Sequence, residues 1–305
     1  MSVLVVGSIA LDTVKTPVEE HADQLGGSAS YAALGASFFA PVQLVGVVGD
    51  DFPESEFDFW KSHAIDPSGV QRARGKTFRW SGEYAWDLNT RETRSVALNV
   101  FENFAPALPE NFRETEFVLL ANIAPSLQMH VLEQMKRPHF VVADTMDLWI
   151  ETTRKDLDAL LPRVDLLILN DSEARQMTGE TSLIRAGRAI RRAGPNYVAV
   201  KKGEHGALLF GPDEFFSCGA YPLEDIHDPT GAGDTFAGGV AGFLAGRSAG
   251  HVDFAQLRKA LIYGSVLASF NVEAFSMDRM RSLTPNEIDE RYEMFKLMSQ
   301  FEVLE

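Results

Sequence analysis

The sequence predicts an α/β protein built on a doubly wound, mostly parallel sheet. Short apolar segments recur that are rich in Val, Ile and Leu without alternation, as is typical of strands covered on both faces. Helix-like segments lie between them, and this alternation favours a parallel sheet. The chain has 305 residues, 45% of them hydrophobic, which is ample for a buried core. We expect strands at residues 3–9, 42–48, 117–120, 140–143, 166–169 and 197–200.

Helices are expected between these strands. The end of the chain carries the clearest boundary signal, because Thr284 can cap a helix, Pro285 suits its first position and Glu287 completes a capping box. The sequence therefore predicts a last helix over residues 285–301. The other expected helices cover residues 28–39, 126–135, 155–161, 183–193, 233–244 and 257–270.

One region has strand-like alternation and no helix to cover it. Residues 76–86 and 93–101 alternate in part, and residues 89–92 are typical of a turn, so we expect a β-hairpin. Its aromatic side chains would be exposed unless they lay over a ligand or a second subunit. The alternative is a hairpin packed on its own domain. The aromatic residues concerned are Phe78, Trp80, Tyr84 and Trp86.

Charge and composition exclude several classes of partner. Lys and Arg total 28 against 43 Asp and Glu, a net charge of −15, so nucleic acid and anionic membranes would be repelled. The single cysteine, Cys218, excludes an internal disulfide and fits a reducing compartment, so we expect a cytoplasmic protein. The first residues lack a basic segment and predict a buried strand, and no apolar run reaches the length of a membrane span.

The most informative segment is Asp228-Pro-Thr-Gly-Ala-Gly-Asp-Thr-Phe-Ala-Gly-Gly239. Small side chains at Gly231, Ala232 and Gly233 let backbone N–H groups approach an anion, and the helix that follows adds further donors and a positive dipole end. Asp234 would then accept the proton of an attacking hydroxyl. The alternative is a glycine-rich helix start that serves only the turn.

This segment resembles the C-terminal motif of the ribokinase-like (PfkB-type) carbohydrate kinases, and the resemblance covers nearly the whole chain. It implies one ribokinase-like kinase domain, residues 1–305, with a small β-lid formed by about residues 12–26 and 76–101. It also implies ATP-dependent phosphorylation of a hydroxymethyl group. Asp234 would remove the proton, the N–H groups of residues 231–233 would stabilise charge on the phosphoryl group, and Mg²⁺ would bridge the nucleotide phosphates.

The expected acceptor side lies near the start of the chain. Gly26 and Gly27 precede an Ala-rich helix; read alone they are a turn, but they resemble the family's N-terminal motif, where they supply a hinge. Asp12 matches the family carboxylate that holds sugar hydroxyls, since a carboxylate accepts two hydrogen bonds at the edge of the sheet where ligands bind. Tyr31 stands where many sugar kinases of the family carry asparagine.

The expected nucleotide side contains an Asn-x-x-Glu motif, Asn170 to Glu173. Its family counterpart helps to hold magnesium through water, and Mg²⁺ keeps several waters and needs few direct protein ligands. Alternatively, Asp171 or Ser172 caps the next helix with support from Glu173. A Lys-Gly turn follows later, which in isolation is only a tight turn between strands. The resemblance implies nucleotide contacts from Asn170, Glu173, Lys202, Gly203, Gly206 and Thr230.

A monovalent cation site is implied in part. Asp228 and the carbonyl of Thr230 match the family's potassium site beside the anion cradle, and residues around Phe275 and Ser276 would complete it. The expected cofactors are therefore ATP and Mg²⁺, with the requirement for K⁺ left open.

Two departures from the family bear on the acceptor. Tyrosine at position 31 is bulkier than asparagine and lacks its amide, and residues 144–149 lack the Asn and Arg that several sugar-acid and fructose kinases carry. We therefore predict a small uncharged sugar as acceptor, as in ribokinase or fructokinase. A nucleoside such as adenosine or cytidine, whose base could stack on the aromatic hairpin and Tyr31, is the alternative.

Two further expectations concern activity and assembly. A catalytically silent binding protein on the same fold is a second alternative, against which the retained Asp234 and the intact Gly-Ala-Gly argue. Pairing of the hairpin with a copy of itself would form a homodimer.

Overall fold

The computed structural model describes residues 1–247 and 251–301, which form two β-sheets flanked by α-helices. The strands are β1 (Val3–Val6), β2 (Ala10–Lys15), β3 (Glu20–Gly26), β4 (Val42–Val48), β5 (Ile65–Arg72), β6 (Phe78–Tyr84), β7 (Arg91–Ala97), β8 (Phe117–Leu120), β9 (Phe140–Asp144), β10 (Leu166–Asn170), β11 (Tyr197–Lys201), β12 (Ala207–Phe210) and β13 (Phe215–Cys218). The helices are α1 (Ser28–Ser37), α2 (Glu54–Ser62), α3 (Pro125–Gln134), α4 (Asp147–Thr152), α5 (Arg154–Leu160), α6 (Asp171–Thr178), α7 (Leu183–Arg192), α8 (Ala232–Arg247), α9 (Phe254–Asn271), α10 (Asp278–Arg281) and α11 (Pro285–Met298).

The large sheet confirms the predicted α/β architecture. Its nine strands run in the order β13-β12-β11-β10-β9-β8-β1-β4-β5. The strands from β11 to β5 are parallel, and β12 and β13 add an antiparallel edge. Alternate side chains enter two apolar clusters, one on each face: Val3 and Val5 belong to one, and Leu4 and Val6 to the other. Burial on both faces explains the uninterrupted apolar runs in the sequence.

Several elements differ from the prediction, and each difference has a physical cause. The first strand ends at Val6 rather than residue 9, because Ser8 leaves the sheet to accept hydrogen bonds from Ser28 and Ala29 at the start of α1. Strand β5 was not predicted; it lies at the sheet edge, contains Pro67 and has several exposed residues. An edge strand covered on one side needs no continuous apolar run and tolerates proline.

The second sheet has four strands in the order β3-β2-β6-β7. Strand β2 pairs in parallel with β6, while β2–β3 and β6–β7 are antiparallel hairpins. The predicted hairpin is thus confirmed as β6 and β7, although its turn covers residues 85–90 rather than 89–92. Ion pairs of Arg79 with Asp23 and of Lys15 with Glu83 join strands of this sheet.

The aromatic side chains of this hairpin have different environments. Tyr84 is buried and Trp80 half-buried, and both pack in a small apolar cluster that includes Phe275. Phe78 stacks on Phe101 with ring centroids 5.2 Å apart, so part of the hairpin packs on its own chain. Trp86 at the turn is 87% exposed.

The contact between α1 and α8 positions the two sides of the site. A Cβ at Gly238 would lie 2.1 Å from the carbonyl oxygen of Ala32, so only glycine allows the two helices to approach this closely. Close packing brings the N-termini of α1 and α8 together at the edge of the large sheet.

The C-terminal helix follows the prediction closely. Thr284 accepts a hydrogen bond from the N–H of Glu287, whose side chain accepts one in return, and Pro285 is the first residue. The helix ends at Met298, three residues before the predicted end. In the parts of the chain described, no helix is both long and apolar enough to cross a membrane.

Candidate active site

The N-terminus of α8 forms an anion cradle. Gly231 precedes the helix with φ +75°, a conformation that glycine adopts without strain, and its added Cβ would lie 2.3 Å from the Tyr31 ring. The Ala232 N–H donates to Pro229 O at 3.3 Å. Within the described residues, the N–H groups of Gly231 and Gly233 have no hydrogen-bond acceptor, as expected for the first turn of a helix. These two N–H groups are therefore available to bind an anion.

Asp234 lies in the first turn of α8, directly after the cradle. Its pKa is raised to about 7, chiefly by burial and also by the charge of Asp144, while Lys201 and Arg91 act to lower it. A carboxylate with a pKa near neutrality is well matched to the task of a general base. The structure thus places the predicted base beside the predicted cradle.

Asp12 is the buried carboxylate on the opposite side of the site. Its Oδ2 accepts the Gly27 N–H at 3.3 Å, whereas its buried Oδ1 has no hydrogen-bond partner among residues 1–247 and 251–301. The pKa of Asp12 is raised to about 7, chiefly by burial and also by the charges of Asp228 and Asp234, while the Gly27 N–H acts to lower it. An orphaned buried acceptor calls for a ligand that donates to it.

The glycine pair lies against Asp12. A Cβ on Gly26 would lie 2.0 Å from Asp12 Oδ2, so glycine at this position makes room for the carboxylate. Gly27 has φ +87° and precedes α1 as its N-cap. Tyr31 is only 2% exposed and packs beneath Gly231, where burial raises its pKa. Tyr31 therefore supports the cradle, and its contact with an acceptor stays a prediction.

The Asn-x-x-Glu motif is a capping box at the start of α6. Asn170 Oδ1 accepts the Glu173 N–H at 2.8 Å, and Glu173 Oε2 accepts the Asn170 N–H at 2.6 Å. Asn170, rather than Asp171 or Ser172, caps the helix, because the helix already begins at Asp171. The pKa of Glu173 is raised to about 7, chiefly by burial and also by the charge of Asp144, while Lys201 acts to lower it.

The Lys-Gly turn joins β11 to the antiparallel strand β12. It is therefore the tight turn between strands that this segment predicts in isolation. The Lys202 N–H donates to Gly206 O at 2.7 Å, and Gly203 and Gly206 have φ values of +55° and +87°. The side chain that enters the site belongs to the preceding residue, Lys201, whose Nζ lies 3.3 Å from Asp144 Oδ2.

Sequence reasoning missed Lys201 as a site residue. The signal was its position at the end of a predicted parallel strand. Asn170 is its register partner on β10, and Ile168 on the same strand pairs with Asp144. The carboxyl ends of these parallel strands meet at one sheet edge, where ligands of α/β proteins bind.

The loop before the cradle is held by hydrogen bonds from two other segments. Asp228 accepts the Thr230 N–H at 2.9 Å and the Ser276 N–H at 3.1 Å, and Thr230 O accepts from Asn271 Nδ2 at 2.8 Å. The implied cation ligands are thus brought together with the segment of Phe275 and Ser276. Their oxygens already accept hydrogen bonds within the protein, and burial raises the pKa of Asp228. A role in cation binding stays a prediction.

The small sheet contacts both sides of the site. The Thr230 hydroxyl donates to the Tyr84 hydroxyl at 3.2 Å, and Asn89 Nδ2 donates to Glu204 Oε1 at 3.3 Å. The second sheet therefore reaches the cradle loop through Tyr84 and the Lys-Gly turn through Asn89. Neither contact was predicted from the sequence.

The chain is similar to known kinases over most of its length. Residues 2–281 match the family model for pfkB family carbohydrate kinases. The cytidine kinase of Thermococcus kodakarensis is 31% identical over 257 residues, which cover 82% of this chain and 90% of that protein.

Solved structures show the same fold. Aminoimidazole riboside kinase from Salmonella enterica, complexed with aminoimidazole riboside and an ATP analogue, superposes with a TM-score of 0.77 at 17% identity, covering 96% of this chain and 100% of that one. Arabidopsis thaliana ribokinase, complexed with ribose and ATP, gives 0.74 at 20% identity, covering 95% and 98%. The fold is thus ribokinase-like, and the family match over nearly the whole chain shows that this protein belongs to the pfkB family of carbohydrate kinases.

Proposed function

We propose that this kinase transfers the γ-phosphoryl group of ATP to the hydroxymethyl group of a nucleoside, with cytidine as the first candidate. The observation that carries the proposal is the similarity to a cytidine kinase over 82% of the chain. The nucleoside alternative thereby becomes the preferred acceptor class, ahead of the free sugar that the sequence analysis placed first.

The face of the small sheet that carries Asp12 and Trp80 favours a nucleoside as the acceptor. Asp12 and Trp80 are register partners on β2 and β6, so their side chains lie on the same face of the sheet. The Trp80 indole lies across Gly82, where an added Cβ would be 2.1 Å from the ring. A ribose held by Asp12 would have its base beside this half-buried indole, where the two rings can stack.

The chain's own residues supply the chemistry of transfer. Asp12 would accept hydrogen bonds from the ribose hydroxyls and so orient the hydroxymethyl group. Asp234 would take its proton as the oxygen attacks the γ-phosphorus, and the N–H groups of Gly231 and Gly233 would stabilise the negative charge on the phosphoryl oxygens.

The side chains of Asn170 and Glu173, on the expected nucleotide side of the site, suit a magnesium ion. One oxygen of Glu173 is used by the capping bond, and no cluster of three or more ligating side chains occurs in the described parts of the chain. This sparse set suits Mg²⁺, which keeps several waters. Asn170 and Glu173 would hold those waters, and the bound ion would neutralise phosphate charge. Asp228 and Thr230 remain the candidates for K⁺.

An acceptor screen tests the proposal. ADP release is measured with Mg²⁺, with and without K⁺, over cytidine, other nucleosides, ribose, fructose, polyols and sugar acids. We expect kcat/KM to be highest for a nucleoside. A free sugar with the highest value would contradict the nucleoside assignment, and no release above the ATP-only background would favour the silent binding protein.

A Trp80→Leu variant sharpens this screen. If the indole stacks on the base, its loss lowers kcat/KM for the preferred nucleoside about tenfold, the value of one stacking contact. Residual activity toward ribose, which has no base, stays unchanged. Trp86→Leu is the matched control, because Trp86 lies exposed at the turn of the same hairpin. Equal losses for nucleoside and ribose would exclude stacking by Trp80.

We also infer a homodimer through the small sheet. Strand β7 is the edge of this sheet and all of its residues are exposed, so it can pair with a copy of itself. Sedimentation velocity should show a dimer, which Val96→Lys weakens by placing a charge on this edge. A monomer at the highest accessible concentration would exclude the pairing.

A further inference from the structure

The Lys201 side chain extends from the end of β11 toward the cradle. Its side chain is 18% exposed, and its Nζ lies 3.3 and 3.5 Å from the two carboxylate oxygens of Asp144. Asp144 is the sole hydrogen-bond acceptor for this ammonium among the residues that the structure describes. An ammonium has three donors, so Lys201 retains capacity for another acceptor.

The surroundings of Gly233 show which part of the site the Lys201 ammonium approaches. The three atoms nearest to an added Cβ at Gly233 all belong to Lys201: Nζ at 3.0 Å, Cε at 3.7 Å and Cδ at 3.9 Å. Gly233 is the second residue of α8 and has no positive φ, so backbone conformation does not require glycine here. Glycine at this position leaves room for the ammonium beside the first turn of the helix.

The negative charges around Lys201 explain why a cation is needed beside the cradle. Three carboxylates, those of Asp144, Glu173 and Asp234, lie close enough to raise the pKa of Lys201, although burial alone would lower it. The lysine therefore stays protonated at neutral pH. Without a cation, these carboxylates would repel a polyphosphate that approaches the cradle.

We propose that Lys201 binds the terminal phosphate of the nucleotide and holds it against Gly233 during transfer. The ammonium bridges Asp144 and the phosphoryl oxygens and remains protonated throughout. The bond from the γ-phosphorus to the ADP oxygen breaks, the bond to the acceptor oxygen forms, and the acceptor proton goes to Asp234. This inference rests on the proposed function, because it takes ATP as the donor.

The competing explanation is a buried ion pair that only stabilises the fold. Loss of Lys201 would then leave the Asp144 carboxylate buried without a partner, and breaking such a pair destabilises a protein strongly. The variants Lys201→Met and Lys201→Met/Asp144→Asn separate the two roles, since the double variant removes the ammonium together with the carboxylate that pairs with it.

Nucleotide binding provides the decisive measurement. Calorimetric titration of the full chain with Mg·ATP and with Mg·ADP, without acceptor, should show that the double variant binds ATP about 10- to 100-fold more weakly than wild type, the effect of one hydrogen bond to a charged group. ADP affinity should change less than threefold, because ADP lacks the terminal phosphate. The matched control variant is Asp144→Asn, which retains the Lys201 ammonium. It should keep most of the preference for ATP over ADP.

The outcomes distinguish this inference from the proposed function. Equal weakening of ATP and ADP in the double variant, or unchanged ATP affinity, would overturn the role of Lys201. If wild type binds ATP yet phosphorylates no nucleoside, the acceptor assignment fails, while the ATP-over-ADP comparison still decides on Lys201. Thermal unfolding of each variant confirms that the proteins compared are folded.

Discussion

Replacing Asp234 by asparagine should lower turnover by about 10²–10⁴-fold, the usual range for loss of a general base. Asparagine has nearly the same shape and cannot accept the proton of the hydroxymethyl group. Fold and nucleotide binding should persist, because the cradle is built from backbone N–H groups of Gly231 and Gly233. ADP release with the preferred acceptor measures the loss, and turnover within threefold of wild type would rule out Asp234 as the base.

The same residue predicts how activity depends on pH. Asp234 must be deprotonated to act, and its pKa in the ligand-free protein is raised to about 7, so wild-type kcat/KM should fall as pH decreases through about 7. An unperturbed aspartate would place this decrease near pH 4.

Protein stability should change in the opposite direction. A folded-state pKa above the unfolded value means that folding favours the protonated acid, so the contribution of Asp234 to stability is full below its unfolded pKa of about 4 and is lost as pH rises through about 7. Asp234→Asn removes the cost of keeping a charged carboxylate buried in the folded protein. The Tm of this variant at pH 8 should therefore equal or exceed that of wild type. Differential scanning calorimetry at pH 6 and pH 8 checks the sign.

Asp12→Asn should reduce kcat/KM for the acceptor by about 10²-fold. Asp12 offers a buried Oδ1 with no partner among the described residues, and the loss of a hydrogen bond to a charged group costs about 1.5–3 kcal/mol. An asparagine presents an NH₂ donor where the hydroxyls of the acceptor donate. KM for ATP should stay within threefold, because Asp12 lies on the acceptor side.

A matched substitution on the same sheet controls this prediction. Asp23 is exposed on β3 and forms an ion pair with Arg79, so Asp23→Asn changes one carboxylate without touching the site and should alter neither kcat nor the KM of the acceptor. Since the pKa of Asp12 is also raised to about 7, Asp12→Asn should raise Tm at pH 8. Unchanged acceptor kinetics in Asp12→Asn would remove this residue from the acceptor site.

The features that the sequence predicts most directly are those whose parts are neighbours in the chain. The cradle of Gly231 and Gly233 uses backbone N–H groups of a single helix start, and Asp234 follows it directly. The capping box of Thr284 and Glu287 is likewise complete within four residues. Such contiguous patterns can be read from the sequence because the interacting atoms are close along the chain.

Lys201 shows why other residues were missed. A lysine at the end of a strand predicts little by itself. The sequence pattern favours Lys202 as the nucleotide contact, because that residue directly precedes the glycine turn. The role of Lys201 depends on Asp144 and Gly233, which lie 57 and 32 positions away in the numbering. Tyr84 is similar, since its hydroxyl accepts a hydrogen bond from Thr230 only after the small sheet packs on the cradle loop.

The sequence was sufficient to predict the α/β class, the glycine-rich start of α8 and the kinase family, while the role of Asp234 as the base stays a prediction. Uninterrupted apolar runs and local backbone geometry are sufficient for those conclusions. The tertiary structure alone decided the parallel pairing of β2 with β6, the placement of Trp80 beside Asp12, and the convergence of Asp144, Glu173 and Lys201. These features depend on side chains brought together from distant segments, and no local pattern encodes the free energy of those long-range contacts.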